Sequence, residues 1–291
     1  MDMTTYLSSF SIMEVSFPVI LGIVLMAFAC EYMDSSLGMG YGTTLTPVLL
    51  LMKFQPLQII PAVLLSELLT GLLAGVLHHR HGNADFMPKM IRAPEIARSL
   101  SNLGYIETIK QGLPLHLKIA ILLASCSIGG TVVAVFVAVN IPKFWLKLYI
   151  GSLVLAMGIT IIVCLKRNFA FSWKKVISLG LIASFNKGMS GGGYGPVVTG
   201  GQILSGLESR NAVAITSLAE GLTCLVGVIT FILVKGNSLD LKLAPWLCIG
   251  AICSVPFSAI TVKKINTQNL KLIIGILTIT LGVVTLGKTL L

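Results

Sequence analysis

The sequence predicts an all-α fold: a polytopic membrane bundle built from two inverted-topology repeats, with broken or half helices at a central site. Three observations predict it. Only 11% of the 291 residues are charged and 55% are hydrophobic, whereas globular proteins carry about a quarter charged residues. Apolar runs near the length that spans a bilayer recur along the chain. One stretch also occurs twice between such runs, as Gly38-Met39-Gly40-Tyr41-Gly42 and as Gly191-Gly192-Gly193-Tyr194-Gly195. A shift of 153 residues aligns the two copies without a gap, and it also places Thr46 on Thr199, Leu51 on Leu204, Thr70 on Thr223 and Glu67 on Glu220. A repeat that keeps glycines and one acid while its apolar filler drifts is the repeat of a site, and the halves of such membrane proteins meet around it.

The first half begins with an apolar segment over 15–30 that ends at Glu31 and Asp34 and runs into the first glycine loop. Residues 43–52 are apolar but short, because ten residues of helix rise only about 15 Å, half a bilayer core. Their glycine entry and Lys53-to-Pro56 exit predict a half or broken helix. A full span over 57–77 carries Pro61, Ser66 and Glu67. A long polar stretch from His78 to about Leu115 follows, and Ile96, Leu100, Leu103 and Ile106 recur in it at helical spacing. That spacing predicts an amphipathic helix on the membrane face. Spans over 117–139 and 144–165 complete the first repeat, residues 1–165. The second repeat, residues 166–291, has segments over 176–185, 196–207, 211–234, 244–262 and 270–287. The two repeats form one integral membrane domain.

Five crossings per half turn the second half upside down relative to the first. With the N-terminus outside, the basic loops at 78–115, 166–175 and 263–269 then all fall in the cytoplasm, as the positive-inside rule requires. If 43–52 and 196–207 re-enter instead, the halves run parallel and Lys263 and Lys264 face the other side. The charge pattern favours inversion.

The net charge of +10 sits in the breaks between apolar runs, so it speaks for topology and anionic lipid, with no nucleic-acid partner. The first twelve residues lack Lys and Arg, so no cleavable signal peptide is expected. Cys30, Cys126, Cys164, Cys224, Cys248 and Cys253 form no CxxC pair and read as small buried hydrophobes. His78, His79 and His81 lack the i, i+4 spacing of a helical zinc pair and read as a membrane-boundary cluster. No phosphate-binding loop and no nucleophile–base constellation is present. The expectation is a multi-pass protein of the cell's inner (plasma) membrane with no cofactor, no metal and no enzymatic activity.

The glycine loop followed by Thr46-Pro47 and a short apolar run resembles the TauE/SafE sulfite exporter permeases. So does the end of the third segment, Gly75-Val76-Leu77-His78-His79-Arg80-His81-Gly82-Asn83-Ala84-Asp85, with an echo at Lys235-Gly236-Asn237-Ser238-Leu239-Asp240. The resemblance covers both halves. It implies a secondary transporter for small anions, sulfur-containing ones such as sulfite, sulfonates or related organosulfur acids. Where that family shows three consecutive glycines in the first loop, Met39 and Tyr41 stand between glycines here, and Asp34, Glu67 and Glu220 add acidity.

Glycines at a helix start let a ligand approach the backbone, and free N–H groups and the helix dipole favour an anion there. Two such ends make an anion site without a buried cation. The candidate substrate-binding residues are Gly38, Gly40, Tyr41, Gly42, Thr43, Thr44, Lys187, Ser190, Gly191, Gly193, Tyr194 and Gly195. The alternative use of the glycines is close helix packing. Asp34, Glu67 and Glu220 are the candidate proton carriers, since an acid in a bilayer faces an aqueous path or a partner; a structural hydrogen-bonding role is the alternative. Lys187 falls on Asp34 under the 153-residue shift, so it either pairs with Asp34 across the pseudo-symmetry axis, attracts the substrate, or is a simple interfacial lysine. The functional expectation is anion transport by alternating access with proton coupling. A cation channel or cation carrier built on the same carboxylates is the competing one. The partners expected are the anionic substrate, membrane lipid and protons.

Overall fold

The computed structural model describes residues 17–87, 113–163, 173–204, 207–262 and 267–291. Ten α-helices follow one another there: α1 (Phe17–Leu37), α2 (Tyr41–Leu51), α3 (Pro56–Arg80), α4 (Leu115–Asn140), α5 (Lys143–Val163), α6 (Trp173–Ser190), α7 (Tyr194–Leu204), α8 (Ser209–Lys235), α9 (Ala244–Thr261) and α10 (Thr267–Leu290). No strand occurs among the described residues. α1, α3, α4, α5, α8 and α9 are long and apolar enough to cross a membrane. The expected amphipathic helix at Ile96–Ile106 and the basic residues Lys166, Arg167, Lys263 and Lys264 lie outside the described residues.

The repeat register is visible in the helix bounds. α2 and α7 each start on the tyrosine of the repeated motif and each run 11 residues. That length rises about 16 Å, half the bilayer core. α3 starts on Pro56, whose missing N–H is no loss at a first helical position. The preceding Gln55 N–H donates to Gln58 Oε1 at 3.0 Å. Two segments are longer than the hydrophobic pattern indicates. α1 continues past Cys30 through Glu31 and Asp34 to Leu37, and α6 continues through Asn186 and Lys187 to Ser190. Their polar residues are buried against other helices, so they line the interior instead of marking where the helix leaves the apolar phase.

The helices of the two halves interleave. α1 packs on α9, α4 on α6, α3 on α8 and α9, α8 on α4, and α5 on α10. Exchanging each helix of α1–α5 for its counterpart in α6–α10 maps this set of pairs onto itself. Two of the apolar cores correspond in the same way. Tyr41, Leu45 and Ala62 belong to one, with Leu247 and Ala251 of α9; Tyr194, Val198 and Ile215 belong to the other, with Ile119 and Leu123 of α4. Each half therefore completes its core with a helix borrowed from the other. Leu25, Ile128, Leu233 and Phe257 stand exposed on the outside, as lipid-facing side chains do.

His78 belongs to the interior and not to a histidine cluster at the boundary. Its Nδ1 accepts from the Asn83 amide at 2.9 Å, and its Nε2–H donates to the Ser35 carbonyl at 3.0 Å. His79 turns elsewhere and accepts the Phe86 N–H at 3.2 Å. Asn83 also donates to the Ala259 carbonyl at 3.1 Å, so this pair ties the end of α3 to α1 and α9. Asn83→Ala leaves buried polar groups without partners, and a loss of about 1–3 kcal/mol of stability is expected. A thermal midpoint in detergent unchanged from the parent protein would remove this latch from the fold.

Candidate functional site

Both glycine loops begin with the same helix stop. Gly38 ends α1 at φ +70° and its N–H donates to the Asp34 carbonyl; Gly191 ends α6 at φ +72° and its N–H donates to the Lys187 carbonyl. These are left-handed positions that glycine occupies without penalty. The loops then lie against each other. A Cβ on Gly42 would strike the Gly191 carbonyl, and one on Gly195 would strike the Gly38 carbonyl. The two contacts are counterparts under the repeat. The glycines are thus used for backbone-to-backbone approach, and they bring the N-termini of α2 and α7 to one place in the bundle.

The side chains around the crossing are buried. The Tyr41 hydroxyl is 2.8 Å from Ser66 Oγ, and the Tyr41 N–H donates to Asp34 Oδ1 at 3.1 Å. Asp34 therefore caps the first turn of α2, where the helix dipole favours negative charge. Thr43 and Thr44 are buried with hydroxyls that have no partner among the described residues. In the second half, the Ser190 hydroxyl donates to the Asn186 carbonyl and accepts the Gly192 N–H, so it is spent on the turn. Gly40 (φ +136°) and Gly193 (φ +79°) complete the bends, and Tyr194 is fully buried. Thr199 donates to the Gly38 carbonyl at 2.8 Å and lies 2.8 Å from Thr216 Oγ1, which accepts from Gln202 at 2.9 Å. Thr199 falls on Thr46 in the repeat register, whereas Gln202 and Thr216 have no strong sequence signal, because Gln and Thr occur widely in such helices.

Beside the crossing is a cluster of charges. Lys187 is fully buried, and its Nζ forms ion pairs with both Glu67 and Glu220, the latter at 2.7 Å. The two glutamates that the repeat superposes are therefore joined by one ammonium. Asp34, Glu67 and Glu220 each place a carboxylate oxygen within 4.8 Å of the others. Oxygens so grouped suit a hard cation, and the ammonium already stands between two of them. Glu31 joins as a fourth acid, one turn before Asp34, and accepts from the Ser35 hydroxyl at 2.5 Å. Its spacing of three from Asp34 puts both on one helix face, a signal open to sequence reading, but its place at the end of an apolar run disguised it. Glu31, Asp34, Glu67, Thr70, Gly71, Ser217 and Glu220 line a small cavity, about 10 Å³, room for a single water. One oxygen each of Glu31, Glu67 and Glu220 has no hydrogen-bond partner among the described residues. All the sequence-predicted residues thus converge on one region, in two adjoining parts: the crossed loops and the acid–lysine cluster.

The comparisons with known proteins agree with a transport protein. The family model described as Sulfite exporter TauE/SafE matches residues 23–93 and 96–285. The probable membrane transporter protein YtnM of Bacillus subtilis (strain 168) is 27% identical over 262 residues, covering 84% of this chain and 75% of that protein. No solved structure is significantly similar.

Proposed function

Because the chain belongs to the sulfite exporter TauE/SafE family, whose members are multi-pass membrane transporters and not enzymes, we propose that it moves a small sulfur-containing anion across the cell membrane by alternating access, coupled to protons. The substrate class is carried over from the family name. The single observation that carries the mechanism is the Lys187 ammonium held between Glu67 and Glu220 beside the crossed helix starts. It supports the following cycle. The four acids share one lysine, so charge balance in the cluster requires protons or another cation. When Glu67 and Glu220 carry protons, the ammonium is released to an anion. Thr43, Thr44 and the first turns of α2 and α7 then supply donors to that anion. When the protons leave, the glutamates reclaim Lys187 and the anion departs.

The exchange-symmetric helix pairs support two repeats, residues 1–165 and 166–291, and the charge of the loops favours their inversion, so that they rock about this centre. Counterflow in liposomes with sulfite, thiosulfate, sulfonates and sulfur-containing carboxylates tests the substrate class. Saturable flux of at least one is expected, and no flux of any of them removes the anion assignment. Glu67→Gln with Glu220→Gln keeps size and hydrogen bonding but removes titration. This double variant is expected to bind the anion and to lose the dependence of transport on a pH gradient. Normal pH-driven flux in it would leave both glutamates as structural hydrogen-bonders.

The excess of acids over bases favours a second reading, a cation carrier or channel. Planar-bilayer recording with ion substitution separates the two. Unitary cation currents establish a channel, and cation-dependent flux without them a cation carrier.

A further inference from the structure

A second cavity, of about 390 Å³, opens where the C-terminal end of α2, with Leu50 and Leu51, meets α5 and α10. Lys53, Lys147 and Lys288 line it with Gln55, Thr285 and Thr289. The three lysines come from three separate elements: the turn after α2, the start of α5 and the end of α10. No carboxylate lines the cavity, and none pairs with these lysines among the described residues. Thr285 is only 2% exposed, and its hydroxyl has no partner among the described residues. The cavity thus offers three ammonium groups and a buried hydroxyl that no group among the described residues satisfies.

Lys53 adds an independent sign. Its N–H donates to the Leu50 carbonyl at 3.0 Å and the Phe54 N–H donates to the Leu49 carbonyl at 3.2 Å. This is the helix stop whose left-handed residue is normally glycine. Lys53 holds that position at φ +73°, the one non-glycine residue with positive φ among the described residues. A lysine at a position where glycine is easier points to a use for its side chain.

We propose that this cavity binds a tetrahedral oxyanion, either a free sulfate-like anion or the phosphate of an anionic phospholipid. Ammonium and hydroxyl donors match such oxygens through charge-assisted hydrogen bonds. The site is separate from the crossed loops. α2 lies between them, about 16 Å of helix, so this proposal does not depend on the acid–lysine cluster.

The test uses the full-length protein in neutral detergent. Its thermal midpoint is read in sodium sulfate against sodium chloride at matched ionic strength. Native mass spectrometry reads retention of phosphatidylglycerol against phosphatidylcholine. The parent protein is expected to respond to at least one probe: to sulfate if the ligand is a free anion, to phosphatidylglycerol if it is a headgroup. Lys53→Gly with Lys147→Gln and Lys288→Gln is expected to weaken that binding about tenfold or more, and Thr285→Val about threefold. Lys53→Gly alone is expected to keep or raise the midpoint without ligand, because glycine relieves the left-handed backbone; the binding loss is then not unfolding. The proposal is overturned if neither probe binds the parent protein, or if the triple variant binds both as the parent does.

Discussion

Lys187→Met is expected to abolish transport and to lower stability by about 3–5 kcal/mol, because it leaves two buried carboxylates without their cation. The lysine is fully buried, and both Glu67 and Glu220 hold its Nζ. Methionine fills similar volume, so the loss reports the charge and not a cavity. The check is the thermal midpoint in detergent together with counterflow in liposomes. Combining Lys187→Met with Glu67→Gln and Glu220→Gln removes all three charges, and most of the lost stability is expected to return. Transport is not expected to return with it, because neither the ammonium nor the titrating acids remain. A stable, fully active Lys187→Met protein would eliminate the cluster from both fold and mechanism.

Gly42→Ala is expected to reduce transport to less than about a tenth and to cost about 1–3 kcal/mol or more, since extra atoms in a closed contact force the backbone to move. The added Cβ would strike the Gly191 carbonyl and would sit 2.6 Å from the Gly191 carbonyl carbon and 2.7 Å from Gly192 Cα. All of these are backbone atoms, so no side chain can swing aside. Gly195→Ala is the counterpart across the repeat and is expected to fail likewise against Gly38. Gly22→Ala and Gly129→Ala are the controls. Nothing lies within 4 Å of an added Cβ at either position, so alanine there is expected to be neutral or to add about 0.5–1 kcal/mol through helix propensity. Equal behaviour of the four variants, read by expression, thermal midpoint and counterflow, would show that the loops do not depend on close approach.

The sequence by itself determined most of the elements and the repeated motif. Apolar run length identified the long membrane helices, and the glycine motif marked the entries to two short helices, read at 43 and 196 and found two residues earlier, at Tyr41 and Tyr194. These are local properties: the length of a hydrophobic run, the backbone freedom of glycine and the register of a repeat are written along the chain. The 153-residue register also placed Glu67 on Glu220. Only the tertiary structure decided which groups meet. Lys187, which aligns with Asp34, takes both glutamates, while Asp34 itself caps α2. Glu31 enters the cluster although its run of sequence read as a segment end. The pairing of α1 with α9 and of α4 with α6 carries no local mark either. The reason is physical. A charge in an apolar run announces that it needs a partner, but the partner's identity depends on distances between helices that are not consecutive in the chain, which packing alone sets.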